Sequence, residues 1–142
     1  MDNKTFIIIL WAHFFNDKPL QPKELLRYAH FRGWIEDQDE RFCDNILTRQ
    51  TAARIIHQFM KIELGLSDIK DISPANKIAD LYNCHTCVNH IAQVYLRGII
   101  QTQTVERDGI KVEVFNHLDN VTEEEAIQII ARIVGCFSCA SQ

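Results

Sequence analysis

Two cysteine pairs have the residue types and the spacing that could hold a metal ion. They are Cys84-His85-Thr86-Cys87 and Cys136-Phe137-Ser138-Cys139, in a chain of 142 residues. Together these Cys-x-x-Cys pairs offer four thiolates, which is a ligand set of tetrahedral structural Zn²⁺. We therefore hypothesise a zinc clasp formed by Cys84, Cys87, Cys136 and Cys139, although the interval between the pairs is longer than in a zinc ribbon.

The same cysteines are compatible with other chemistry. Buried free thiols and one or two disulfides are the alternatives to zinc. The total of five Cys is odd, which fits a reducing compartment or a metal site better than a full disulfide framework. A thioredoxin-like redox pair is disfavoured, because no βαβ pattern surrounds either motif.

A shared zinc ion requires the two cysteine pairs to meet in space. The first pair is predicted at the start of a helix that runs from about Asn83 to Arg97. The second pair follows a helix over 122–134, which Gly135 is predicted to end. Both helices are about 20 Å long at ~1.5 Å per residue, so antiparallel packing would bring these ends together.

A second candidate site lies at the entry of an amphipathic helix over 47–60. Its apolar residues recur at helical spacing, and Thr48 stands at the predicted N-cap. The stretch 122–134 has the same layout, and its Thr122 and Glu125 fit a capping box. A fainter copy over 2–11 opens the chain, so the pattern indicates a set of three related helices.

The helices over 47–60 and 122–134 each follow another predicted helix, and that preceding helix ends in glycine and two apolar residues. These endings are Gly33-Trp34-Ile35 and Gly98-Ile99-Ile100, and glycine suits the left-handed position just after a helix. In the loop after the second ending, apolar residues alternate around Asp108-Gly109. That alternation predicts a small β-hairpin.

This order of elements predicts a mainly α fold of tandem helical-hairpin repeats, about two and a half of them, in a single domain over 1–142. A half repeat covers 1–15, and one repeat covers 16–66. A second repeat covers 67–142, with the hairpin in its loop and a Cys-containing tail. The apolar helix of the half repeat has no partner helix in this scheme, which predicts a homodimer.

The order of these motifs resembles the S-layer homology (SLH) module of bacterial surface proteins. The counterparts in the second repeat are Arg97-Gly98-Ile99-Ile100, Asp108-Gly109, Phe115 and Thr122-Glu123-Glu124-Glu125. The counterparts in the first are Arg32-Gly33-Trp34-Ile35, Phe42 and Leu47-Thr48-Arg49-Gln50-Thr51. The resemblance implies SLH-like helical hairpins and non-catalytic attachment to an acidic, pyruvylated polysaccharide of the bacterial cell wall.

Within this resemblance, the ligand-facing residue is the Arg that follows the capping Thr, and only Arg49 retains it. An Arg fork suits a carboxylate on a sugar. Thr48 lies beside it in the implied glycan site, and Trp34 would offer a flat face for a sugar. The structural alternatives are a solvated first-turn Arg49 and a core Trp34.

Composition and motifs argue against several other functions. The net charge is −4, the pI is near 5.8 and no basic cluster stands out, which argues against a nucleic-acid interface. The apolar stretch over 6–15 is too short to span a bilayer. No nucleophile-base pattern, phosphate loop or H-E-x-x-H motif is found, so the chain is not predicted to be an enzyme.

An alternative function needs no glycan. The absence of a clear signal peptide, the odd Cys count and the loss of Arg from two of three helix entries favour a small intracellular protein-interaction module with a structural zinc site. The predicted partner is therefore either a cell-wall polysaccharide or another protein. Localisation stays open between the cell surface, which the resemblance implies, and the cytoplasm.

Overall fold

The computed structural model of the chain describes residues 1–140, and side chains through residue 136. Six α-helices are present in this part: α1 Asn3–Phe14, α2 Pro22–Arg32, α3 Asp37–Arg41, α4 Arg49–Ile62, α5 Val88–Leu96 and α6 Glu123–Ala140. Two strands form an antiparallel hairpin: β1 Gln103–Arg107 and β2 Ile110–Val114. Short 3₁₀ turns precede α5, at Ser73–Lys77, Leu81–Asn83 and His85–Cys87.

This architecture corrects the predicted fold class. The structure is mixed, with 56% helix and 11% strand, so the prediction of a mainly α fold is wrong. Isolated bridges add extended pairing outside the hairpin: Asp2 with Ile46, Thr48 with Asn120 and Ile78 with Glu113. Backbone N–H and C=O groups pair regardless of the side-chain pattern, so periodicity in the sequence could not reveal these bridges.

The predicted repeats are not shown by the structure. The loop of the first predicted repeat contains α3, whereas the loop of the second contains the β1–β2 hairpin. The helix predicted from residue 83 begins only at Val88, because 3₁₀ turns occupy the residues before it. Gly135 was predicted to end the last helix, but it lies inside α6. The corresponding segments therefore differ in type and in length.

A single hydrophobic core cluster joins all the described α-helices except α3. Phe6 and Leu10 of α1 are fully buried in it together with Phe59 of α4. Because the chain itself covers these side chains of α1, the unpaired helix that predicted a homodimer is not present. None of the described helices is long and apolar enough to cross a membrane.

Backbone pairing holds the entry of α4 against the segment that precedes α6. Thr48 caps α4, and its side chain accepts a hydrogen bond from the N–H of Thr51 at 3.4 Å. The N–H of Arg49 donates to Asp119 O and that of Gln50 donates to His117 O, both at 2.9 Å. These bonds satisfy N–H groups that a helix start leaves free. They also place residues 117–119 beside the first turn of α4.

Candidate functional site

Three adjoining cavities surround the entry of α4, and Gln50 lines all three of them. Their volumes are about 600, 330 and 180 Å³. We call the three together the α4 groove, and name its parts the large, middle and small sections. A concave surface where several polar side chains converge is the usual form of a small-ligand site.

The large section is polar and combines acids, amides and one cation. Its lining residues are Gln50, Asp80, Asn83, Cys84, Arg107, Asn116, His117, Leu118 and Asp119. Amide side chains both donate and accept hydrogen bonds, and carboxylates accept them. The section can therefore satisfy a ligand that carries hydroxyl groups.

Asp80 is the fixed acid of the large section. Its carboxylate accepts hydrogen bonds from the N–H groups of Phe115 at 2.7 Å and Asn116 at 2.9 Å. Asn116 adopts a φ of 61°, in the left-handed region that Asn tolerates better than most residues. Burial acts to raise the pKa of Asp80, but these backbone hydrogen bonds outweigh it and the pKa is lowered. Asp80 is therefore ionised near neutral pH.

Arg107 and His117 are two groups of the large section that have unused hydrogen-bonding capacity. Arg107 is exposed at the end of β1 and has no ion-pair partner among the described side chains. His117 is 6% exposed, and neither of its ring nitrogens has a hydrogen-bond partner within the described part of the chain, although its Nδ1 lies 3.6 Å from a carboxylate oxygen of Asp80. A buried unpaired polar group is unfavourable, and it is commonly satisfied by solvent or a ligand.

The middle section has a polar floor and an apolar rim. Asn3, Gln38, Asp39, Asn45, Thr48, Gln50, Thr51 and Arg54 supply its polar lining. Phe42, Ile46 and Leu118 line it as well, and all three are exposed, Leu118 to 73%. Arg54 donates two hydrogen bonds to the carboxylate of Asp39, at 2.6 and 2.8 Å. This guanidinium is therefore already paired with an anion.

The small section lies between α4 and the start of α5. It is lined by Glu36, Gln38, Gln50, Thr51, Arg54, Cys84, Thr86, Cys87 and His90. Behind it, Nδ1 of His90 lies 2.8 Å from Nδ1 of His57, and Nε2 of His57 lies 2.7 Å from Asp68. Burial, followed by the neighbouring His57 and Arg54, lowers the pKa of His90 to about 4.

Two of the three residues of the implied glycan site are buried. Arg49 is 3% exposed, and Trp34 is fully buried in the core. Arg49 donates to Phe115 O at 2.7 Å and to Gln101 O at 2.5 Å, and it forms an ion pair with Glu125. Thr48 serves as the N-cap of α4 and also lines the middle section. Arg49 and Trp34 are therefore engaged in contacts inside the protein, and of the three residues only Thr48 lines a cavity.

The four cysteines of the zinc hypothesis are not brought together within the described residues. Cys84 and Cys87 form a disulfide with each other. Cys136 lies on α6, where its sulfur is 3.8 Å from Nη1 of Arg97. The side chain of Cys139 lies outside the described residues. In residues with described side chains, no group of three or more His, Cys, Asp or Glu is placed to hold a metal ion.

Sequence reasoning missed the groove residues Gln50, Arg54 and Arg107. Gln50 and Arg54 follow Thr48 on the same helix, so the capping motif was the one signal that pointed to this region. Arg107 precedes the Asp108-Gly109 turn, and only the folded hairpin places it beside α4. Comparisons of the chain with models of protein families, with curated proteins and with solved structures found no match.

Proposed function

We propose that the chain is a non-catalytic binding module for a hydroxyl-rich polymer that carries carboxylates, of the kind found in acidic cell-wall polysaccharides. The observation that carries the proposal is that three cavities meet at Gln50 around the entry of α4. An extended ligand could occupy more than one section at once. This extended, polar groove supports a chain-like ligand better than a compact one.

The lining chemistry supports a sugar ligand. Asn83 and Asn116 offer amides that can donate and accept, and Asp119 offers an exposed acceptor. Sugar rings also have apolar faces, and Phe42 and Leu118 expose apolar surface at the middle section. Polar contacts below an apolar rim therefore match the two kinds of surface on one sugar.

Arg107 supports the acidic character of the ligand. It is an exposed guanidinium at the large section, whereas Arg49 and Arg54 already donate to protein acceptors. A guanidinium can bind a carboxylate with two parallel hydrogen bonds. We thus transfer the carboxylate contact, which the SLH resemblance assigned to Arg49, to Arg107.

The experiment measures binding of the purified chain to a pyruvylated cell-wall polysaccharide and to the same polymer after mild acid has removed the pyruvate. We expect the wild type to bind the intact polymer more tightly. Arg107→Ala should lower that affinity about tenfold, the value of one charge-assisted pair. The same substitution should leave affinity for the treated polymer unchanged.

Arg27→Ala is the matched control, because Arg27 is an exposed Arg on α2 that lines none of the three sections. It should bind both polymers like the wild type. Failure of the wild type to bind either polymer would overturn the proposal. Equal losses for Arg107→Ala and Arg27→Ala would show that only general charge matters.

A second candidate is a protein partner that docks on the apolar rim. The exposed side chains of Phe42, Ile46 and Leu118 favour it, because clustered exposed apolar residues often mark interfaces. Light scattering over a concentration series tests the simplest case, a second copy of this chain. A dimer that Leu118→Ser abolishes would support it, and a monomer at every concentration would remove that case.

A further inference from the structure

The Cys84–Cys87 disulfide lies on the wall of the α4 groove. Cys84 lines both the large and the small sections, whereas Cys87 lines the small section. A disulfide that only stabilises a fold has no need of access from a cavity. Here a molecule that enters the large or the small section can contact Cys84.

The two sulfur-bearing residues differ in accessibility. Cys84 is partly exposed, whereas Cys87 is 9% exposed and belongs to the core cluster. Thiol–disulfide exchange begins when a thiolate approaches one sulfur in line with the bond, so access decides which sulfur is attacked. The burial pattern directs that attack to Cys84 and makes Cys87 the leaving group.

The position of the pair also stabilises a thiolate. Cys87 is the N-cap of α5, and its N–H donates to Cys84 O at 3.1 Å. The first turn of a helix carries partial positive charge, and this charge lowers the pKa of a thiol placed there. Arg54 lines the same small section, but Asp39 balances its charge, so the helix start is the main source of positive potential there.

We propose that Cys84 and Cys87 form an exchange-active disulfide that accepts two electrons from a dithiol reductant. One thiolate of the reductant forms a bond to the Cys84 sulfur, while the Cys84–Cys87 bond breaks and its electron pair goes to the Cys87 sulfur. The second thiolate of the reductant then displaces Cys84. The reductant leaves as a disulfide, and its two protons end on Cys84 and Cys87.

This activity goes beyond the proposed binding of polysaccharide, in which no covalent bond changes. The exchange is measured without any polysaccharide, so its failure would say nothing against binding, and the reverse also holds. A thioredoxin-like redox pair usually lies in a βαβ context, which the described part of this chain lacks. Access to Cys84 and the position of Cys87 at the N-cap of α5 supply the physical conditions for exchange without that context.

The first experiment compares two variants in a background that lacks the other thiols, with Cys43, Cys136 and Cys139 each changed to Ser. Cys87→Ser leaves Cys84, and Cys84→Ser leaves Cys87. We expect Cys84 to form a mixed disulfide with oxidised glutathione about tenfold faster than Cys87, measured by mass spectrometry. Equal rates, or faster reaction of Cys87, would overturn the proposed order of attack.

The second experiment uses the wild-type chain, so it does not depend on variants that fold poorly. Dithiothreitol reduces the native protein, and brief alkylation followed by peptide mapping records when each thiol appears. Low concentrations of urea speed unfolding but do not change the chemistry of thiol–disulfide exchange. Reduction that proceeds at a rate independent of urea supports exchange in the folded state, and reduction that tracks the unfolding rate overturns it.

Discussion

The guanidinium of Arg49 and the carboxylate of Glu125 form an ion pair that joins the first turn of α4 to the first turn of α6. Glu125 was predicted to reach back to the cap of its own helix. Its backbone N–H does donate to the Thr122 hydroxyl at 3.1 Å, but its side chain turns to Arg49 instead. Only half of that predicted capping box is therefore present.

Arg49→Ala is expected to lower the free energy of unfolding by about 3 kcal/mol. The substitution leaves Phe115 O without its donor in the interior and leaves Glu125 without its cation, and breaking such a pair costs much more than breaking an exposed one. Urea titration of both proteins at neutral pH measures the change.

Arg41→Ala is the control for this prediction, because Arg41 and Asp37 form an exposed ion pair four residues apart within α3. Such a pair contributes about 0.5 kcal/mol or less. A stable Arg49→Ala variant that no longer binds acidic polysaccharide would contradict the structural role and return the glycan contact to Arg49.

Trp34→Ala is expected to lower the free energy of unfolding by about 3 to 5 kcal/mol, the usual cost of truncating a large buried aromatic. The Trp34 ring packs edge-on against Phe59, with 5.0 Å between centroids, and parallel to Trp11 at 6.5 Å. Urea unfolding checks the value. Phe42→Ala is the control, because Phe42 is exposed and its loss should change stability little. Comparable losses for the two variants would contradict the assignment of Trp34 to the core.

Local features of the fold could be predicted from the sequence. The Thr48 cap, the left-handed Gly33 and the hairpin around Asp108-Gly109 are all present. Each depends on a few neighbouring residues, because a cap needs a nearby hydroxyl and a tight turn needs a backbone that tolerates positive φ. Such requirements are visible in a short stretch of sequence.

Features that depend on distant contacts could not be predicted in the same way. The local sequence around Arg49 is compatible with a solvated residue in a first helical turn. Its guanidinium instead donates to the backbone carbonyls of Gln101 and Phe115, which are more than fifty positions away in the chain. The α4 groove likewise combines Gln50 with Arg107 and Asn116 of the hairpin region. Helical spacing contains no information about which loop covers a helix start, so these partners required the tertiary structure.

The chain is expected to contain less than stoichiometric zinc when it is purified without reductant. The disulfide uses two of the four thiolates that the zinc hypothesis requires, and metal binding needs free thiolates. Elemental analysis together with thiol titration of the native and the denatured chain measures both quantities. One zinc ion per chain, with five thiols titrated in the denatured chain, would contradict the disulfide and support the zinc clasp.

Stability is expected to fall between pH 6.5 and pH 4, because the pKa of His90 is lowered to about 4 from the ordinary value of 6.5. Within this interval His90 is protonated in the unfolded chain but neutral in the folded chain. Acid therefore favours unfolding. The contribution is full above pH 6.5 and is lost as the pH falls through 4. With allowance for partial exposure of the ring, the loss amounts to about 1 kcal/mol.

Three charged groups near His90 keep their charge throughout this interval. Asp68 contacts His57, which in turn contacts His90. Lys61 and Arg54 stay positively charged over the whole interval. Burial acts to raise the pKa of Asp68, but hydrogen bonds from His57 and Asn89 outweigh it and hold the pKa below its ordinary value of 3.8. The carboxylate therefore titrates below the interval in question.

Urea unfolding of the wild type at pH 7 and pH 5 measures the loss, and His90→Gln should remove most of it because Gln does not titrate. His13→Gln is the matched control, since His13 is exposed near the end of α1 and should leave the pH dependence unchanged. If the wild type and His90→Gln lost the same free energy over this range, the lowered pKa of His90 would not be the cause of the acid sensitivity.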